Sequence, residues 1–141
     1  MAFLLDTNAL SEIDKPHPDK TFLQWFGQID ELELYLSCLS IGELYKGIEL
    51  QADESKKRKL VARTEEIMAV FGERILNIDQ STTRLWGKLM GRGQQKGTMP
   101  VAIDALIAAH CLQYQMTLVT RNTKDFKRFS GLQIFCPWSD N

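Results

Sequence analysis

Histidine is almost missing from this chain, and cysteine never occurs in pairs. Two histidines (His17 and His110) and three scattered cysteines (Cys38, Cys111 and Cys136) stand among 141 residues. So few histidines and no paired cysteine spacing argue against a structural zinc site. Cysteines odd in number and set in apolar segments also exclude a disulfide framework, and they fit buried thiols in a reducing cytoplasm. No apolar run is long enough to span a membrane. The opening Met-Ala-Phe-Leu-Leu-Asp lacks the basic region and the extended apolar stretch of a signal peptide. Neither sign of charge is in excess. A formal net charge of −1 gives no overall field for attracting nucleic acid, so any such contact must come from local basic patches.

What is present is the composition of an ordinary soluble globular protein, 44% apolar and 25% charged. The length suffices for one domain, residues 1–141, with a full core. No internal repeat, linker or low-complexity segment argues for a second one. Along the chain, residues 2–5 read as a short buried strand, and Thr7-Asn8 offers a cap for the helical turn that follows. Phe22, Leu23, Trp25 and Phe26 form one apolar helical face. Residues 33–38 read as strand two, followed by a helix opened by Ser40-Ile-Gly-Glu43. Residues 54–71 have the pattern of a long amphipathic helix. Strand three is expected at 74–78, a helix at 81–89, and a polar glycine-rich loop at 91–97. Pro100 fits the first position of a helix running to about Tyr114. Strand four is expected at 117–120 and a short last strand at 133–136. Strands alternating with helices imply parallel pairing, hence an α/β fold. Its expected form is a three-layer α/β/α sandwich around a central parallel sheet of about five strands.

Four carboxylates fall at telling places in that plan: Asp6, Glu43, Asp104 and Asp125. Each follows an apolar strand-like run or opens a helix. In a parallel α/β fold, strand ends and helix starts share one edge of the sheet, where ligands bind. Four acids converging there repel one another unless a cation lies between them. Taken singly, three of them have plain structural readings. Ser40-x-x-Glu43 matches a capping box, Asn122-x-x-Asp125 places an acid in a first helical turn, and Asp6 could simply end a strand. Asp104 resists such treatment. It lies in Val101-Ala-Ile-Asp-Ala-Leu-Ile-Ala-Ala, apolar on nearly every face, where a lone buried carboxylate costs several kcal/mol, roughly, unless paired or bound to metal. Together the four favour a divalent-metal site.

Other features weigh less. The run Lys56-Lys57-Arg58-Lys59 with Arg63 reads as a solvated helix face. Gly91-Arg-Gly-Gln-Gln-Lys-Gly97 misses the spacing of a dinucleotide fingerprint and reads as a basic loop flanking Asp104, open to RNA contact. His110, nearly opposite Asp104 on the helical wheel, reads as a packed core residue. No Ser/His/Asp or Cys/His arrangement is discernible.

Four segments then carry a resemblance. Phe3-Leu-Leu-Asp-Thr-Asn8, Ser40-Ile-Gly-Glu43-Leu, Ile103-Asp104-Ala-Leu-Ile-Ala-Ala and Thr120-Arg-Asn-Thr-Lys-Asp125-Phe126 resemble, in order, the four motifs of the PIN-domain ribonucleases. The match points in particular to the VapC toxins of bacterial toxin–antitoxin pairs. The closing Ile134-Phe-Cys-Pro-Trp138 is similar to the end of the FitB-like VapC subgroup. This resemblance spans essentially the whole chain. It implies a PIN-like fold, Mg²⁺- or Mn²⁺-dependent endonuclease activity on RNA, a cytoplasmic homodimer, inhibition by a small VapB-type antitoxin, and contact with DNA only through that antitoxin. Asp6, Glu43, Asp104 and Asp125 match the family's acidic quartet, the expected catalytic and metal-binding set. Thr7, Asn8, Ser40, Thr120 and Asn122 occupy supporting positions in the same motifs. Part of the surface near Phe22, Trp25, Phe26, Leu44, Tyr45 and Ile48 is expected to form the antitoxin groove, unless those side chains fill the core.

Hard oxygen ligands suit Mg²⁺ or Mn²⁺. Two rival readings place an aspartate similarly. A haloacid-dehalogenase-like phosphatase wants a second acid two residues after its first, where Asn8 stands. A receiver-like, non-catalytic Mg-binding regulatory module would use an aspartate after strand three, near Asp79, with a basic partner after the last strand.

Overall fold

The computed structural model describes Met1–Ser139. Its centre is β1 (Phe3–Leu5), buried on both faces. Successive strand side chains point to opposite faces. Leu4 accordingly enters one core with Ala105, Ala108 and Leu118, while Phe3 and Leu5 enter another with Leu10, Phe22 and Leu36. A strand apolar on both sides must be covered on both sides. The chain does so by returning through a helix after each strand.

The first crossover contains α1 (Thr7–Ile13) and α2 (Lys20–Gln28) and leads to β2 (Leu34–Ser37). Helices α3 (Cys38–Leu50) and α4 (Glu54–Phe71) lead to β3 (Ile75–Leu76). Helices α5 (Gln80–Gln95) and α6 (Ala102–Tyr114) lead to β4 (Thr117–Val119). The short α7 (Thr123–Phe126) precedes β5 (Ile134–Phe135). All pairs are parallel, in the order β3-β2-β1-β4-β5. This is the expected five-stranded α/β/α sandwich. Its strand order reverses at β1, so the crevice outside the ends of β1 and β4 is the topological switch point. Among the described residues no helix is long and apolar enough to cross a membrane.

Three local expectations need correction. The glycine-rich run is not a loop from residue 91, because α5 continues to Gln95. Leu85, Trp86, Leu89 and Met90 pack against the core, and this burial outweighs the poor helix propensity of Gly91 and Gly93. Gly93 has a second reason to be glycine: a Cβ there would lie 2.4 Å from Pro100 Cδ. Pro100, spent in that contact, stands before Val101, the residue capping α6, and is not the first residue of the helix. Finally, Ser40 does not cap α3. Ser37 does, its Oγ accepting from the Leu39 N–H at 3.1 Å, because β2 runs straight into the helix. The capping-box reading of Glu43 therefore fails.

Ser37 is also tied to His110. The imidazole is buried, with Nδ1 3.0 Å from Ser37 Oγ and Nε2 3.2 Å from the Asn77 carbonyl. A donating Nε2–H and an accepting Nδ1 satisfy both contacts with a neutral ring, and burial lowers the pKa below the usual histidine value. His110 is a packed core residue, as expected. Of the aromatic and aliphatic set around α2 and α3, Phe22 and Ile48 are buried, and Trp25, Phe26 and Leu44 are half-buried against the same core. Only Tyr45 is exposed, so this set mainly fills the core.

One buried acid had no sequence signal. Glu12, 2% exposed, accepts from the Trp138 indole Nε1–H at 2.8 Å, the Asp19 N–H at 2.9 Å and Lys15 Nζ at 3.0 Å. Burial alone would raise its pKa, but these donors bring it below the usual glutamate value. Trp138 also packs on Phe22 at 4.8 Å between ring centroids. The end of the described chain is thereby clasped to α1. Trp138→Phe keeps an aromatic ring but removes a donor to a buried carboxylate. It should cost about 2–4 kcal/mol in urea denaturation, with the m value unchanged; a loss below about 1 kcal/mol would show that the clasp is not needed.

Candidate active site

Asp6 stands where β1 ends and α1 begins. Its backbone N–H extends the sheet by donating to the Val119 carbonyl at 3.0 Å, and its Oδ1 accepts from the Thr7 N–H at 2.8 Å as the helix cap. Oδ2 accepts from Thr120 Oγ1 at 2.8 Å and from Asn8 Nδ2 at 3.3 Å. The two strands flanking the switch point thus meet on one carboxylate. Burial raises the Asp6 pKa above the usual aspartate range, and the donors from Thr120, Thr7 and Asn8 work against that rise.

Thr7 joins a second acid to the first. Its backbone binds Asp6 while its hydroxyl donates to Glu43 Oε1 at 2.8 Å. Glu43 is exposed, on the second turn of α3. Asp104 lies in the first turn of α6 and Asp125 in α7, where the Asp125 N–H donates to the Asn122 carbonyl at 3.2 Å. The Asp104 pKa is raised, first by burial and then by the charges of Asp125, Asp6 and Glu43; Arg128 alone opposes this. All four acids are therefore within electrostatic reach at the edge named by the sheet order. Asp104 is only half-buried, because the start of α6 opens toward solvent, and Asp6 is the more enclosed acid. Among the described residues no three histidine, cysteine or acidic side chains form a group that could hold a metal ion.

Asp104 and Asp125 open into a cleft of about 410 Å³ bounded by the end of α5, the loop before α6, and α7. Arg92, Lys96, Lys124 and Arg128 line it too.

The sequence pattern that defines the PIN domain matches residues 3–132. The chain belongs to the PIN-domain family. Toxin FitB of Neisseria gonorrhoeae is 32% identical over 97% of this chain and 99% of that protein. VapC ribonuclease Y4jK of Sinorhizobium fredii is 31% identical over 96% of each. Among solved structures, FitAB bound to the IR36 DNA fragment contains a chain that superposes with a TM-score of 0.88 at 31% identity, covering 96% of this chain and 95% of that one.

Within this PIN domain, each supporting residue expected from the motifs has a definite place. Thr7, Asn8 and Thr120 bond acids directly. Asn122 acts through its backbone, its N–H donating to Thr120 Oγ1 at 3.1 Å. Asn8 Oδ1 accepts from the Arg121 N–H at 3.4 Å, so the Asn8 amide joins the first motif to the last. Ser40 is buried, with no hydrogen-bond partner for Oγ among the described residues. Asp79, the position a receiver-like module would use, instead caps α5 and is bound by Thr82 and Gln113. Sequence reasoning missed Arg128, the cation nearest in effect to Asp104. Its position three residues past Asp125 was the available signal.

A raised carboxylate pKa stabilises the fold below the unfolded value and withdraws that contribution as pH rises through the folded value. Asp104→Asn should therefore melt at the same temperature as wild type or up to about 3 °C higher at pH 7 in EDTA, a small gain because the site is partly solvent-screened. Below about pH 4 the two proteins should converge. A large loss of stability at pH 7 would reveal an unrecognised structural partner of Asp104.

Proposed function

We propose that this chain is a divalent-metal-dependent endoribonuclease and the toxin of a type II toxin–antitoxin pair. The observation that carries the reading is the arrangement of the acids: Thr120, Asn8 and Thr7 hold Asp6, Thr7 joins Glu43 to it, and Asp104 and Asp125 line one cleft. The charges of Asp125, Asp6 and Glu43 disfavour ionisation of Asp104, and a divalent cation would relieve that cost. Their hard oxygen donors fit Mg²⁺ or Mn²⁺. Supporting the rest are relatives named a toxin and a VapC ribonuclease, and a similar chain in FitAB bound to DNA.

On this reading Asp6 and Asp104 would be the principal ligands, with Glu43 and Asp125 completing the quartet; no three of these side chains are gathered into a ready ligand group among the described residues, so binding the ion would have to draw them together. The bound ion would supply Lewis-acid polarisation of the scissile phosphate and a lowered pKa for the attacking water. The chain's own contribution is orientation. Thr120 and Asn8 fix one oxygen of Asp6 while the Thr7 N–H takes the other, so Asp6 is aimed before substrate arrives. The Thr7 hydroxyl holds Glu43 in the same way. Hydrolysis by in-line attack of water leaves a 5′-phosphate and a 3′-hydroxyl. The protein acts in the cytoplasm as a homodimer, is held inactive by a small VapB-type antitoxin, and meets DNA only through it. The phosphatase alternative lacks its second acid, since Asn8 serves as a donor to Asp6. The regulatory alternative loses Asp79 to its capping role.

Asp6→Asn should reduce Mg²⁺-dependent cleavage of total cellular RNA by at least about 100-fold and weaken Mn²⁺ binding in calorimetry, without unfolding the chain. Glu43→Gln should lose about tenfold or more, because an amide is a poorer metal ligand than a carboxylate. Full cleavage by Asp6→Asn would sink the metal-site reading. Undiminished activity of Glu43→Gln would remove only that residue from it.

A further inference from the structure

The cleft beside Asp104 carries more positive charge than its two acids require. Four cations from two separate segments share it: Arg92 and Lys96 at the end of α5, and Lys124 and Arg128 in and after α7. All four are exposed, in a chain whose formal net charge is −1. Arg128 donates to the Thr98 carbonyl and so ties the loop before α6 to the end of α7. The side chains of Arg92, Lys96 and Lys124 make no hydrogen bond or ion pair among the described residues. By contrast Arg63 is spent on Asp14 and Glu66, and Arg74 on backbone carbonyls. The cations of the cleft thus remain available at a site that ends on Asp104 and Asp125.

The floor adds a constraint. Pro100 and Phe129 are buried, and no exposed aromatic ring lines the space as a platform for a base. Base stacking, the usual grip on single strands, is missing here. The volume is that of a small-molecule site, enough for part of one strand.

We infer that this cleft is the track of a single-stranded RNA backbone, with Arg92, Lys96, Lys124 and Arg128 taking the phosphates next to the one cut. The inference rests on the ribonuclease reading. It adds that this part of the grip is electrostatic and indifferent to sequence, so that base recognition lies elsewhere on the molecule. Gly93 belongs to the same device: with no Cβ it lets Pro100 seat against α5, which sets the position of the loop carrying Thr98.

Fluorescence anisotropy with a short 5′-fluorescein-labelled single-stranded RNA tests the track, using the full chain in EDTA so that the RNA stays intact. Four phosphate contacts give a slope of log K against log salt of about −2.8, or roughly 50-fold weaker binding on going from about 50 to 200 mM KCl. Lys96→Gln/Lys124→Gln should roughly halve that slope and weaken binding at low salt, while its Mn²⁺ affinity and melting temperature stay at the wild-type values. Lys56→Gln/Lys59→Gln changes net charge equally, at exposed positions of α4, and should leave the slope alone. Equal effects from the two pairs, or none from the cleft pair, would overturn the track. A wild-type chain that cuts RNA, with kcat/KM unaltered in the cleft pair, overturns the track and spares the ribonuclease reading. A wild-type chain that neither binds nor cuts RNA removes both.

Discussion

The Asp6 carboxylate is the junction on which the site depends. It ends the central strand, caps the first helix and receives a hydroxyl from the residue after β4. The strand pairing and the aim of the carboxylate are therefore one arrangement. A slip of one residue between β1 and β4 would exchange the two faces of the strand, and it would also take Thr120 away from Asp6. Burial makes this acid reluctant to ionise, and its three donors oppose that reluctance. The balance leaves a carboxylate that is positioned and short of a counter-charge, which is what a metal ligand needs to be.

Around that junction, charges of opposite sign are sorted by location. The acids gather at the crevice where the strand order reverses, and the cations line the approach along α5 and α7. A chain with almost no net charge can hold a polyanion only by such local segregation. Arg128 stands at the boundary: it lowers the cost of ionising Asp104 and holds the loop before α6 in place.

Much of this was legible in the sequence. Alternating strands and helices specified the sandwich, and the residues after β1 and β4 sit at the switch point because parallel topology leaves them nowhere else to go. His110 was recognisable as core from its place on an apolar helix. Ser40–Glu43 misled because a local capping pattern cannot reveal that β2 feeds directly into α3 and hands the cap to Ser37. Gly91 and Gly93 misled because their helical state is decided by packing, including the contact between Gly93 and Pro100. The degree to which Asp104 is open follows from where α6 begins, and propensity places helix ends poorly. Glu12 was invisible for another reason: its principal partner, Trp138, is 126 residues away, and a single chain carries no mark of such a pairing.

That separation has a consequence for synthesis. Asp6 leaves the ribosome 114 residues before its partner Thr120, and Glu12 leaves 126 residues before Trp138. Until Thr120 appears, the Asp6 carboxylate lacks its hydroxyl donor and β1 lacks its neighbour β4. The acidic edge therefore cannot be completed on a partly made chain. Whatever activity this edge has is withheld until β4 and Thr120 have been made.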